Sequence, residues 1–132
     1  MLDFRAICAA YGVGEPTSSA VRLEGGVHRC WRITTTRGVY VVKEPLPGIL
    51  ARPAGRDQYE KPEEIGRGYG ARGIPVATAH TINGKAVNEV SGQLVMLFDF
   101  IEGHPAHSPA NPEFARIMGR TLGQMHQDPP QV

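Results

Sequence analysis

A single lysine placed opposite a glycine pair is the feature of this sequence that could do chemistry. Lys43 ends a short apolar stretch, and it shares one face of the predicted strand with Val39 and Val41, because side chains alternate along a strand. Gly25 and Gly26 predict a tight turn, at which backbone N–H groups can approach an anion without a Cβ in the way. A lysine facing such a turn can hold a phosphate group. The simpler alternative is a strand-end lysine whose ammonium group reaches water.

Short strands must position this lysine. Runs rich in β-branched and aromatic residues predict strands over residues 21–24, 30–35, 39–43, 76–82, 85–90 and 93–100. Three hairpin turns are predicted at Gly25-Gly26, Arg37-Gly38 and Asn83-Gly84. The continuous apolar run over residues 94–98 is typical of a strand that is buried on both faces.

Helices are predicted around these strands. Apolar spacing predicts helices over residues 2–10 and 112–127, and a glycine-rich helix over residues 58–72. Pro62 is compatible with that middle helix only in its first turn. Prolines and glycines predict a loop over residues 44–57. Together these elements predict an α+β fold: an antiparallel sheet of about five strands, one helix packed on it and helices at either end.

Composition narrows the class of protein. The chain has 132 residues, 41% of them hydrophobic, and a formal net charge of +1, so it has room for one domain of ordinary globular composition. That balance predicts neither nucleic acid nor an anionic membrane as partner. No run of about 18 apolar residues and no signal-peptide core is present, which predicts a cytoplasmic location. Cys8 and Cys30 have no metal-binding spacing and are predicted to be buried free thiols.

Three other patterns carry no site. His104 and His107 share a loop without a cysteine or a carboxylate cluster, so no metal site is predicted. Asp99-Phe100 resembles the start of an Asp-Phe-Gly metal motif, but Ile101 replaces the glycine. His126 and Asp128 have the spacing of a catalytic His-x-Asp, but no asparagine follows to hold a metal ion.

The ordered set of motifs resembles the aminoglycoside phosphotransferase and choline/homoserine kinase-like family, whose fold is like that of protein kinases. The glycine hairpin is followed by Val-Val-Lys, then by an acidic helix before Gly-Ile-Pro-Val, an Asn-Gly hairpin and Leu-Phe-Asp-Phe-Ile-Glu-Gly. The last predicted helix contains Gly-Arg-Thr-Leu-Gly-Gln-Met-His, which is similar to the family helix leading to the catalytic half. The resemblance runs the length of the chain and implies a kinase-like N-terminal lobe.

The resemblance implies an ATP site. Gly25 and Gly26 would cover the phosphates of ATP, and Lys43 would orient them. A glutamate of the following helix would in turn orient Lys43. By its placement before Gly-Ile-Pro-Val this is Glu63, with Glu60 and Glu64 as alternates. A solvated helix face explains the same acidic residues without a site.

At the other end of the site, the resemblance implies that residues 98–101 are the hinge that reads adenine. Phe98 would stand behind the base, the Asp99 carbonyl would accept a hydrogen bond from it, and the Ile101 N–H would donate one to it. Val41 would cover the base from above. A core strand followed by a loop explains the apolar run equally well.

Two departures from the family pattern are present. An asparagine commonly follows the paired glycines in the family, and here His28 and Arg29 occupy that region. The family's catalytic aspartate, its companion asparagine and its metal-binding aspartate all follow the helix with which this sequence ends. The chain is therefore expected to be an incomplete enzyme, from a truncated gene, a split enzyme or a fragment, and to bind Mg²⁺ only with the missing half.

The expected organisation follows from this. Residues 1–20 form an N-terminal helix and linker, residues 21–105 the sheet lobe and hinge, and residues 106–132 the start of the catalytic half. The full enzyme would phosphorylate a small hydroxyl-bearing acceptor, whose identity the sequence leaves open. The alternative is a non-catalytic nucleotide-binding or interaction module. In either case the apolar stripe of the last helix is expected to be partly exposed, which favours self-association or a partner chain.

Overall fold

The computed structural model describes residues 2–103 and 112–127, and in this part of the chain a five-stranded sheet is flanked by helices. The helices are α1 (Phe4–Tyr11), α2 (Pro47–Leu50), α3 (Asp57–Gly70) and α4 (Pro112–Gln127). The strands are β1 (Val21–Leu23), β2 (Arg29–Thr35), β3 (Gly38–Glu44), β4 (Asn88–Val90) and β5 (Gln93–Asp99). All neighbouring strands are antiparallel, and their order is β1-β2-β3-β5-β4. The predicted α+β fold is confirmed.

One face of the sheet is closed by α1. This helix begins where the Asp3 carboxylate accepts a hydrogen bond from the Ala6 N–H at 3.0 Å, and it ends at Gly12, whose φ is 68°. Its apolar side meets the sheet in a core formed by Leu2, Ile7, Cys8, Val13, Ile33, Val42, Val95 and Leu97. This face, which we call the α1 face, is held mainly by apolar packing.

The opposite face, which we call the α3 face, is held differently. Its buried core is small and consists of Tyr59, Ala79, Ala86, Val87 and Met96. The Glu60 carboxylate accepts hydrogen bonds from the N–H groups of Ala86 and Val87 at 2.8 and 3.0 Å. Glu63 accepts one from the Ala79 N–H at 2.9 Å. Two carboxylates of α3 therefore fasten the segment that follows the helix. Because Val95, Met96 and Leu97 are all buried, β5 has both faces covered, as predicted.

The strand predicted over residues 76–82 is wrong. Only isolated bridges form there, between Ala79 and Phe98 and between Ile82 and Lys85. The Ala79 N–H, which a strand ladder would use, is bonded to the Glu63 carboxylate of α3 instead. A helical side-chain partner 16 residues away in sequence leaves no trace in the local pattern, which is why the hairpin signal at Asn83-Gly84 predicted a strand here.

The Asn83-Gly84 turn is confirmed, although the strands beside it are short. Asn83 and Gly84 have φ angles of 53° and 78°, as a two-residue hairpin turn requires, and Ile82 and Lys85 exchange backbone hydrogen bonds of 3.0 Å. The strand predicted over residues 85–90 begins only at Asn88, because the N–H groups just before it are bonded to Glu60.

Two helical predictions also needed correction. Residues 44–57 are not all loop, because α2 begins with Pro47 in its first turn, where a missing N–H costs nothing. Pro62 lies in the second turn of α3 rather than in its first, and the helix continues through it. The contacts that Glu60 and Glu63 make with the following segment offset the hydrogen bond that proline cannot donate.

The last described helix, α4, spans the predicted residues. Its apolar side chains are about half exposed, as expected: Phe114 47%, Ile117 51%, Met118 45% and Leu122 47%. Of the helices in the described residues, none is long and apolar enough to cross a membrane. Both cysteines are free; Cys8 is buried, whereas Cys30 is only half-buried. The predicted boundary at residues 105–106, together with His104, His107 and Asp128, lies outside the described residues.

Candidate functional site

Lys43 lies on the α3 face, next to the end of β3. It is paired across the sheet with Cys30 on β2 and Met96 on β5, and it is half-buried. Its ammonium nitrogen is 5.9 Å from the centre of the Tyr59 ring of α3, a distance at which a cation is attracted to an aromatic face. Lys43 is therefore directed toward the helix rather than simply outward to water.

An open cavity of about 330 Å³ lies at this point, between β3 and α3. Its walls include Lys43, Glu63, Tyr59 and His28, the last from the loop between β1 and β2. A cation, a carboxylate and an imidazole thus face one space, which is the arrangement expected of a site for an anionic ligand with an internal counter-charge.

The three candidate glutamates are now distinguished by their positions. Glu63 lines the Lys43 cavity, although no ion pair within 4.0 Å joins the two side chains in the described structure. Glu60 is already engaged by two backbone N–H groups, and Glu64 is exposed. Glu63 is therefore the one of the three that shares a cavity with Lys43, and its pairing with Lys43 stays a prediction.

The glycine hairpin lies in the loop between β1 and β2. Gly25 and Gly26 have φ angles of 95° and 75°, which L-residues with a side chain rarely adopt. A Cβ at either position would meet nothing within 4 Å. Glycine is therefore required here by the backbone conformation and not by crowding, and the tip is open for the approach of a ligand.

His28 and Tyr59 belong to the site, and sequence reasoning did not assign them to it. The His28 Nε2 and the Tyr59 hydroxyl oxygen lie 2.9 Å apart, and the Leu46 N–H donates to the same hydroxyl at 2.9 Å. Burial, together with the charge of Lys43, lowers the pKa of His28 below its ordinary value. One signal was available: Tyr59 precedes Glu63 by four residues, so both lie on one side of α3.

The predicted hinge lies at the other end of the same face. Phe98 is paired with Val41 across β3 and β5, so both share the face that carries Lys43. The Phe100 N–H donates to the Val39 carbonyl at 3.0 Å, which makes Tyr40 and Asp99 a pair without mutual hydrogen bonds. The Asp99 carbonyl therefore accepts no backbone hydrogen bond from β3. Ile101 beyond it is 67% exposed.

The side chains at the hinge leave a shallow cavity of about 550 Å³, lined by Arg32, Phe100, Glu102 and Gly103. The Arg32 guanidinium carbon is 5.7 Å from the centre of the Phe100 ring. On the opposite side of the sheet, the Asp99 carboxylate meets the His80 Nε2 at 2.7 Å. The Asp99 side chain thus turns away from the Lys43 face, and only its backbone remains to serve a ligand there.

A larger cavity of about 780 Å³ opens elsewhere, beside residues 44–47. Its charged members are Arg29 and Glu44, and the Glu44 carboxylate already accepts a hydrogen bond from the Trp31 Nε1–H at 3.0 Å. Since its remaining wall is largely apolar, the smaller Lys43 cavity is the better candidate for chemistry. Within the described residues, no group of three or more His, Cys, Asp or Glu side chains is placed to hold a metal ion.

Comparison with known protein families shows to which family the chain belongs. The model of the phosphotransferase enzyme family matches residues 19–132, which is most of the length of this chain. The chain belongs to this family, as its glycine hairpin, its Val-Val-Lys strand and the antiparallel sheet lead one to expect. A comparison with curated proteins found no match.

Proposed function

We propose that this chain is the ATP-binding lobe of a small-molecule O-phosphotransferase, which transfers the γ-phosphate of ATP to a hydroxyl group. One observation carries the proposal. Val41, Lys43 and Phe98 share a single sheet face, with the Lys43 cavity and the glycine hairpin at one end and the exposed residues of the hinge at the other. A nucleotide has the same polarity, with its charged phosphates at one end and its flat base at the other.

Each end has a role in this proposal. Lys43 attracts the phosphates, Gly25 and Gly26 present backbone N–H groups to them, and Glu63 limits where the lysine ammonium group settles. The base lies against Val41 and Phe98, and it exchanges hydrogen bonds with the Asp99 carbonyl and the Ile101 N–H. Such backbone reading tolerates the exposed and varied side chains of the hinge.

The nucleotide-binding residues named above do not by themselves account for catalysis. Binding a nucleotide does not lower the barrier to transfer unless interactions strengthen in the transition state. In phosphoryl transfer those interactions come from metal ions and from an aspartate that positions the acceptor. Among the residues that the structure describes, no aspartate or asparagine lines the Lys43 cavity, so Mg²⁺ and the acceptor are expected to bind with a catalytic half.

The proposal is tested by titrating the purified chain with Mg-ATP in a calorimeter. Lys43→Ala should weaken binding about tenfold or more, because it removes a charge-assisted contact to phosphate. Lys61→Ala is the matched control, since Lys61 is exposed on α3 and lies outside the cavity. Equal binding by wild type and Lys43→Ala, or binding by neither, contradicts the assignment of the nucleotide site.

A second candidate function is favoured by α4. Its half-exposed apolar stripe suits an interaction module that kept the lobe and lost catalysis. Sedimentation velocity over a range of concentrations tests this, with Ile117→Asp and Leu122→Asp introduced together to break the stripe. Reversible self-association that the double variant abolishes, in a chain that does not bind Mg-ATP, supports the interaction module. Binding of Mg-ATP supports the first proposal, whether or not the chain self-associates.

A further inference from the structure

Tyr59 connects three parts of the Lys43 cavity through one hydroxyl group. It is 8% exposed on α3, yet its oxygen reaches the Leu46 N–H after β3 and the His28 ring in the glycine-hairpin loop. The Lys43 ammonium group lies over the ring of the same residue. The loop that carries Gly25 and Gly26 is therefore tied to α3 through His28.

The hydrogen-bond roles in this chain can be assigned from donors and acceptors. The Leu46 N–H can only donate, so the Tyr59 oxygen accepts from it. Among the described residues, His28 Nε2 is then the one acceptor available to the Tyr59 O–H proton. If Nε2 accepts that proton, the neutral imidazole carries its own proton on Nδ1. Nδ1–H has no partner among the described residues, although the His28 side chain lines the Lys43 cavity.

We propose that His28 is a phosphate-contacting residue, whose Nδ1–H is kept available as a donor because Tyr59 O–H occupies Nε2. The inference rests on the proposed function, and it names a residue of that same site. It explains how the loop can serve phosphate although no asparagine follows its paired glycines: the donor comes from an imidazole that α3 holds in place. Tyr59 is a positioning residue in this account, since it acts through His28.

The charge state supports the assignment. Burial and the neighbouring Lys43 both lower the pKa of His28, so the ring is neutral near pH 7 and retains one acceptor nitrogen for Tyr59. A neutral donor next to Lys43 adds a directed hydrogen bond without adding a second cation, which would repel the lysine. The titratable groups that face His28 are Lys43 on β3 and Tyr59 and Glu63 on α3.

The tautomer is tested first, on the unliganded wild-type chain, by two-bond ¹H–¹⁵N correlation spectra of the histidine rings. His28 should show a protonated Nδ1 and an unprotonated Nε2. Tyr59→Phe should shift the ring toward the Nε2–H form, whereas Tyr69→Phe, whose hydroxyl has no hydrogen bond in the described structure, should leave it unchanged. A wild-type His28 with its proton on Nε2 overturns the inference, and this result needs no variant to fold.

The phosphate contact is tested by comparing ATP with adenosine. His28→Ala should weaken ATP about tenfold and leave adenosine within about twofold, because the lost donor serves phosphate only. His28→Gln should recover most of the affinity, since its amide can accept from Tyr59 and still donate. His126→Ala, on the exposed face of α4, is the matched control and should change neither ligand.

The outcomes distinguish a failure of the His28 contact from a failure of the nucleotide site on which it rests. If Lys43→Ala weakens ATP but His28→Ala does not, the nucleotide site stands and the role of His28 is refuted. If His28→Ala weakens ATP and adenosine equally, His28 supports the lobe as a whole and the phosphate contact is again refuted. If wild type binds no ATP, both the nucleotide site and the His28 contact fail.

Discussion

The two faces of the sheet differ in how they are held, and the difference separates stability from function. The α1 face is closed by eight buried residues that are almost all aliphatic. On the α3 face a small core is supplemented by carboxylates bonded to backbone N–H groups, and beside them an open cavity remains at Lys43. The hydrogen bonds of Glu60 and Glu63 hold α3 against the sheet without filling the cavity next to the helix. A ligand site needs both a rigid wall and an open cavity beside it.

The largest expected effect is a loss of stability from the α1 face. Leu97 is fully buried there, so Leu97→Ala removes apolar contacts and leaves a cavity, and it should lower the free energy of unfolding by about 2–5 kcal/mol. Leu122→Ala makes the same change on half-exposed α4 and should cost far less. Urea unfolding followed by circular dichroism measures both. Similar losses in the two variants would mean that the α1 face is not the main core.

A smaller effect is expected where the α3 face depends on hydrogen bonds. Glu60→Gln turns one accepting oxygen into an NH₂ group that faces a backbone N–H, so it should cost about 1–3 kcal/mol. Glu64→Gln, at an exposed position of the same helix, should change stability by no more than about 0.5 kcal/mol. Hydrogen exchange should also be faster at the Ala86 and Val87 amides in Glu60→Gln. Unchanged exchange there would contradict the attachment.

The smallest expected effect is a pH dependence of the folding stability that arises from His28 on the α3 face. The pKa of His28 is lowered in the folded chain relative to 6.5, so the unfolded chain binds the proton more tightly. Stability should therefore fall as the pH decreases below about 6.5, where the unfolded state gains protons first. His28→Gln should lose this part of the pH dependence, while His126→Gln should keep it. A His28→Gln variant with the slope of wild type would contradict a half-buried His28 that is neutral in the folded chain.

The strands around Lys43 could be predicted because their signals are local. Alternating β-branched residues and glycine turns define β2 and β3 within a few residues, and the register then fixes which side chains share the Lys43 face. The apolar run of β5 likewise predicted burial on both faces. These features depend on neighbours in sequence or on the nearest strand.

What could not be predicted depends on contacts between distant residues. The N–H groups of Ala79, Ala86 and Val87 donate to glutamate carboxylates at least 16 residues away. Residues 76–82 and 85–87 therefore do not form the strands that their local pattern predicts. The bond between Tyr59 and His28 spans 31 residues, and nothing in the sequence marks either residue as a partner of the other. The His28 contact is visible only once α3 and the glycine hairpin are placed.

The central claim is that a nucleotide lies along the α3 face, with its phosphates at Lys43. Titration of the isotope-labelled chain with ATP, followed by backbone and methyl NMR spectra, tests it most directly. The account predicts shift changes at Gly25, His28, Val41, Lys43, Phe98 and Ile101, and little change at Ile33, Val42 and Leu97 on the α1 face. Adenosine should reproduce the changes at Val41, Phe98 and Ile101 only. ATP-dependent shifts centred on the α1 face, or on the cavity beside residues 44–47, would contradict the account.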